Sequence, residues 1–224
     1  MQVETREHII APGREPRLRS PAPLRLRVHR RGEPAREALA ALLPAAADRP
    51  ASRIVVGCEL GHRLAAVVGL RAGADGRFSV EAHFRRAAER ELERALCVPV
   101  ERRHVVEFDG LHLLRPRHAE RVFTEFAAFL HGAGFQWVLA AVSPKQFRRL
   151  ERLAFDPVDL LICPRLDGGS ETIVCCGSVT AAYRLLTKRF ARDPDAVERW
   201  NHTAAAGRRF RIDRAMRLLE TVGI

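Results

Sequence analysis

The sequence predicts an α/β domain with a mixed sheet around a central βαβα unit. Two observations carry that expectation. Apolar runs with strand character alternate with segments whose apolar residues recur every three or four positions. In the middle of the chain the run FQWVLAAVS (135–143) is almost continuously apolar, as a strand covered on both faces must be. Short connections and right-handed crossovers leave few ways to join such elements. At 224 residues and 47% hydrophobic content, the chain is long enough for one domain with a substantial core.

The elements follow in order. Residues 1–22 are rich in Arg and Pro and read as a flexible basic arm. PLRLRVHR (23–30) alternates apolar and basic residues, which predicts a strand with one wet face. Pro34 opens a helix over EPAREALAALLPAAA. SRIVVGCEL (52–60) and RLAAVVGLRAG (63–73), joined at a Gly-His turn, read as a hairpin. RFSVEAHF (77–84) reads as a third strand or a strand leading into a helix, and RRAAERELERAL (85–96) as a charged amphipathic helix. RRHVVEFDGLHLL (102–114) is the central strand. The helix after it, 116–134, carries an apolar stripe of Val122, Phe123, Phe126, Phe129 and Leu130, with Arg117, Glu120, Arg121 and Glu125 assigned to the wet face. A glycine at 132 or 134 ends it. Pro144 starts another helix with Phe147, Leu150 and Leu153 on one side. VDLLICP (158–164) and ETIVCCGS (171–178) are two further strands. Residues 179–224 read as helical, with breaks at Asp193-Pro194 and around Gly207. The expected division is an arm over 1–22, the α/β domain over 23–187, and a helical extension over 188–224.

Composition narrows the function. Five cysteines, an odd number, and an N-terminus without an apolar signal core predict reduced thiols and a cytoplasmic location. The net charge of +11 is mostly arginine. It reflects either base composition or an acidic partner such as nucleic acid, an anionic membrane, a phosphorylated cofactor or a carrier protein. Aromatics at 6%, with one Tyr, give no stacking platform for nucleic acid. No CxxC or HxxxH spacing supports a metal, and no glycine-rich phosphate loop supports a nucleotide. Cys175-Cys176 point to opposite faces of a strand and read as core residues. The C-terminal RRFRIDRAMRLLETVGI has helical apolar spacing, which fits packing on its own domain, a twin subunit in a homodimer, or a membrane surface.

Two segments carry a family resemblance. FSVEAHFRRAAE (78–89) resembles the LEQYLD-x-P-I-E stretch of the thermostable haemolysin family, with Glu81 and Glu89 on its two glutamates. VVEFDGLHLLRP (105–116) resembles that family's VEVGNLA strand, with Glu107 on its Glu, Leu111 on its Leu, and Asp109-Gly110 where Gly-Asn is usual. The family is similar to acyl-homoserine-lactone synthases and N-acyl amino acid synthases, which share a GNAT-like core. The resemblance covers roughly residues 50–160. It implies a mostly antiparallel GNAT-like sheet with helices on both faces and C-terminal helices beyond it. It also implies an acyltransferase that moves an acyl group from an acyl carrier protein or CoA thioester to a small amine-bearing acceptor. No tightly bound cofactor is implied, the acyl-phosphopantetheine or acyl-CoA being a co-substrate.

Glu107 and Asp109 are two apart on a strand and therefore share a face, about 6.5–7 Å apart. Such carboxylates either brace a loop against neighbouring arginines or act on a substrate. In the second reading Glu107 is the general base on an amine, its pKa raised by desolvation and a like charge, while Asp109 and Glu81 hold the acceptor. His83, Phe108 and Leu111 are the neighbouring candidates for substrate contact. GNAT enzymes hold pyrophosphate at a glycine-rich turn after the central strand. Here that stretch is RPRHAERV (115–122), without glycine, so Arg115, Arg117 and Arg121 become the candidates for a single phosphate. One phosphodiester on an acidic protein describes an acyl carrier protein. The missing glycine loop equally fits a chain that has lost catalysis and serves as a binding or membrane-acting module.

Overall fold

The structure, a computed structural model, describes residues 24–29, 32–43, 54–152, 158–163, 171–190 and 194–222. Its centre is β4 (Val105–Leu113), where the carboxylates lie. Upstream of it run β1 (Leu24–His29), α1 (Pro34–Ala40), the hairpin β2 (Ile54–Leu60) and β3 (Arg63–Ala72), and α2 (Ala88–Leu96). Downstream come α3 (Ala119–Gly132), β5 (Trp137–Val142), α4 (Pro144–Arg152), β6 (Val158–Cys163), β7 (Thr172–Ser178), α5 (Val179–Phe190) and α6 (Pro194–Val222).

The strands form one seven-stranded sheet in the order β1-β2-β3-β4-β5-β7-β6. Every pairing is antiparallel except β4–β5. That parallel pair needs a crossover, and α3 supplies it, so β4-α3-β5-α4 is the expected βαβα unit. The alternation of β4 sorts its side chains between two cores. Val106 and Phe108 join α3 and Phe210 of α6 on one face. Val105 joins Val80, Ala88 and Leu92, and so α2, on the other. Helices thus cover both faces, as the fold class requires.

Four expectations need correction. Residues 77–84 are not a strand: β3, which they follow, already has β2 and β4 on its two edges, so no ladder position beside it is open, and Ser79–His83 coil into a 3-10 turn. Glu125 is not on a wet face. It is 1% exposed, because α6 covers that side of α3, and Thr203 Oγ1 donates to its Oε2 at 2.6 Å. Gly207 does not break a helix, since α6 runs through it. A Cβ there would collide with the carbonyl oxygen of Phe129, and one at Gly132 with that of Ala204, so the two glycines let α3 and α6 cross backbone to backbone. The helix from Pro34 is short, ending at Ala40. The expected arm over 1–22 and the apolar position Leu153 lie outside the described residues.

Candidate active site

β4 and β5 pair only from Val105/Trp137 to Phe108/Ala140. Both strands run on, to Leu113 and Val142, without pairing to each other. The cause lies in β4: a bulge at Asp109 shifts the register against β3, which pairs Leu70 with Phe108 and Gly69 with Gly110. The extra residue bends β4 away from β5. It also changes parity, so that Phe108, Leu111 and Leu113 all face α3. Gly110 takes φ +153°, a backbone open to glycine.

The gap is a cleft of about 220 Å³. Phe108, Leu111 and Leu113 line one side, Ala140, Ala141 and Val142 the other, and Phe123, Gln146, Arg149 and Leu150 close it from α3 and α4. Phe108 is held edge-on by Phe126, with ring centroids 6.1 Å apart. The walls are therefore mainly apolar, and the facing edges of β4 beyond Phe108 and of β5 beyond Ala140 are released from any shared ladder.

The acidic residues lie on the other face of β4. Glu107 has no exposed surface. Its Oε2 accepts from the Ser79 N–H at 2.7 Å, and its Oε1 from the Val80 N–H at 2.9 Å and from Ser79 Oγ. Arg71, its cross-strand neighbour on β3, stands 3.6 Å from Oε2 and donates to Asp109 Oδ2 at 2.9 Å. Ser79 Oγ also lies 3.2 Å from Asp109 Oδ1. Burial pushes the Glu107 carboxyl above its ordinary value, against the three hydrogen bonds that favour the charged form, and the Asp109 charge adds to the rise.

Glu81 is the centre of a second clamp. It accepts the N–H groups of Phe78 and Ala88 and a two-pronged contact from Arg102, at 2.6 and 3.1 Å. Burial works to raise its pKa, but the Arg102 bond and the two backbone bonds outweigh that and hold it low. Arg102 also grips Glu89 at 2.7 Å and the Gly76 carbonyl at 2.7 Å, and lies 4.6 Å over the Phe78 ring. The two clamps fasten segment 73–89 across the sheet by side chains alone. This is the bracing alternative for the carboxylates. Glu107 does not stand at the cleft's mouth, because its strand parity turns it away from Phe108.

The arginines sit at the turn into α3. Pro116–His118 form a 3-10 turn ahead of the helix. Slight burial and then the charges of Arg117, Arg121 and Arg115 push the His118 imidazole down, which puts the three guanidinium groups in one field. Arg121 is half-buried, and its own environment includes Arg199, Glu125 and Cys58 beneath α6. Arg149, which no sequence motif singles out, reaches from α4 to donate to the Pro116 carbonyl at 2.8 Å and joins this turn to the cleft. Gln146, whose Oε1 caps Ser143 at the start of α4, was equally missed, although Ser-x-x-Gln is a helix-start signal. Phe108 and Leu111 line the cleft, whereas His83 is exposed at the end of its turn and away from the cleft lining.

The thermostable hemolysin family profile matches residues 46–163. No curated protein matches the sequence. Among solved structures, the acyl-homoserine-lactone synthase LasI superposes with a TM-score of 0.53 at 8% identity, over 74% of this chain and 94% of that one. FeeM, an N-acyl amino acid synthase from uncultured soil microbes, superposes with a TM-score of 0.51 at 13% identity, over 76% of this chain and all of its own 100%. At these identities the likeness establishes the GNAT-like fold.

Proposed function

This chain belongs to the thermostable hemolysin family, and from that premise we propose that it is an N-acyltransferase. The donor is an acyl thioester, on an acyl carrier protein or on CoA, and the acceptor is a small amine. The observation that carries the reading is the parting of β4 from β5 beyond Phe108 and Ala140, which opens an apolar slot at the middle of the sheet.

A thioester arm entering this slot meets apolar side walls and backbone edges that no strand partner occupies. Such N–H groups can bind the oxygen of a carbonyl on which negative charge develops, the largest contribution most acyl-transfer sites make. The amine nitrogen attacks the thioester carbon, the C–S bond breaks, and the thiol leaves with a proton. Arg115, Arg117 and the N-terminus of α3 are suited to the donor's phosphate, and Arg149 holds their turn against the cleft. Arg121 contributes charge from further inside. The buried carboxylates position rather than react: Glu107 and Asp109 fix the bulge of β4 through Arg71 and Ser79, and Glu81 fixes the segment above. Among the described residues lining the cleft, Arg149 is the one with a charged side chain, so the amine proton travels through water at the open end to the departing sulfur.

The test is release of free thiol from a panel of acyl-CoA and acyl-carrier-protein donors in the presence of mixed amines. Amide product with at least one donor supports the reading, as does its loss when Ala140→Phe fills the slot in a folded variant. Vesicle leakage without thiol release from any donor would favour the binding or membrane-acting reading instead. Among the described residues no helix is long and apolar enough to cross a membrane.

A further inference from the structure

At the far end of the sheet a second cavity, of about 480 Å³, lies between β1 and α6. Its strand wall consists of four consecutive residues, Leu24, Arg25, Leu26 and Arg27. Neighbouring side chains on a strand point to opposite faces, so a wall made of consecutive residues is the edge of the strand, not one face of it. β1 is the terminal strand of the sheet, and among the described residues nothing pairs with its outer side. Half of its N–H and C=O groups face this groove. The opposite wall is one stripe of α6: Arg199, His202, Thr203 and Ala206, spaced as i, i+3, i+4 and i+7.

An open strand edge facing a helix across a groove is the geometry in which domains capture an extended peptide as an added strand. We propose that this groove binds an acidic, extended peptide segment of a partner protein, which pairs with β1 as an eighth strand and lies against α6. The charge sets the chemistry. Among the described residues the lining holds Arg25, Arg27, Arg199 and His202 and no carboxylate; Glu59 lies 3.5 Å from Arg27 and Glu198 3.8 Å from His202 outside it, so the groove keeps a cationic excess that would repel a lysine-bearing strand. A second copy of β1 would bring Arg25 and Arg27 against the same cations, which disfavours self-pairing. The six residues of β1 offer about 20 Å of edge, enough to pair with roughly six peptide residues. Leu24 is buried and Leu26 packs on the core beneath, so the edge is anchored and not frayed.

The test uses the full chain and a labelled octapeptide alternating valine with glutamate, read by fluorescence anisotropy and by hydrogen exchange at residues 24–29. Binding is expected to slow exchange of the outward-facing amides of β1 and to weaken as salt rises. Methylation of alternate peptide nitrogens should abolish it, because ladder bonds carry the affinity. Arg25→Glu combined with His202→Glu should weaken binding about tenfold or more while leaving the far-ultraviolet spectrum and thiol release unchanged. Equal binding of an octapeptide alternating valine with lysine overturns the proposal. So does no binding together with β1 amides already protected in the free chain, which would mean that the chain itself fills the groove, or a concentration-dependent dimer that excludes the peptide.

Discussion

Replacing Glu107 by Gln asks whether this carboxylate braces or reacts. In the parent, its two oxygens take two backbone N–H bonds, at 2.7 and 2.9 Å, and a hydroxyl, and Oε2 lies 3.6 Å from Arg71. The amide keeps one oxygen and puts an NH2 where the other stood. That NH2 faces a donor, so at least one buried N–H loses its acceptor, at a cost of about 1–3 kcal/mol. Arg71 loses one of two nearby negative charges, which adds to the cost, since stranding part of a buried ion pair runs to about 3–5 kcal/mol at the extreme. Relief of the carboxylate's desolvation, visible in its raised pKa, offsets part of this. We expect a net loss near 3 kcal/mol, or roughly 6–12 °C in melting temperature for a chain of this length. Thermal and urea unfolding followed by circular dichroism measure it, with thiol release assayed well below the melting point. A variant that unfolds within about 0.5 kcal/mol of the parent yet has lost turnover would refute the bracing role and return Glu107 to the chemistry.

Other perturbations probe the remaining supports. Arg102→Met strands Glu81 and Glu89 and should cost about 3–5 kcal/mol; Arg102→Lys should recover little, because a point charge cannot replace the two-pronged grip on Glu81, and full recovery by Lys in urea unfolding would contradict this. Gly207→Ala should prevent α3 and α6 from reaching their crossing distance, seen as a cooperative loss of several degrees in melting temperature, and an unchanged melt would count against the close approach. Glu125 has a folded pKa raised chiefly by burial, so across the window from its ordinary 4.5 upward the folded state holds a proton that the unfolded chain has lost. Stability must then fall as pH rises above 4.5, and Glu125→Gln should gain relative to the parent over that rise; a pH-independent difference between the two would sink the argument. Arg149→Ala frees the Pro116 carbonyl and should raise KM for the thioester donor several-fold with a smaller effect on kcat, the reverse split arguing against a donor-binding role.

Much of the fold was legible because the signals were local. The 3-to-4 spacing from Val122 to Leu130, the apolar run at 135–143 and the Gly-His turn at 61–62 each specify their element without distant help. Two of the misreadings, at 77–84 and at Glu125, share one physical cause, contact with residues far along the chain. Residues 77–84 have strand-like composition, but the N–H groups of Ser79 and Val80 are claimed by Glu107, far along the chain, which no local pattern announces. Glu125 sits in register with wet-face neighbours and is buried because Thr203, 78 positions later, lies over it. The sequence located Glu107 and Asp109 as unusual carboxylates on a strand, and that was right. Which face of β4 they occupy relative to the cleft depends on the bulge at Asp109, and a bulge is set by pairing with β3.

The short β4–β5 seam has a mechanical consequence. Among the described residues, four residue pairs make the strand-to-strand join between the leaf β1–β4 and the leaf β5–β7–β6, whereas β2 and β3 share seven. The sheet is therefore two plates on a narrow hinge, with α3 as the strut across it. A guest lodged between the plates would act as a wedge that stiffens both, so an occupied protein should resist pulling forces and slow its breathing motions along this line before anywhere else.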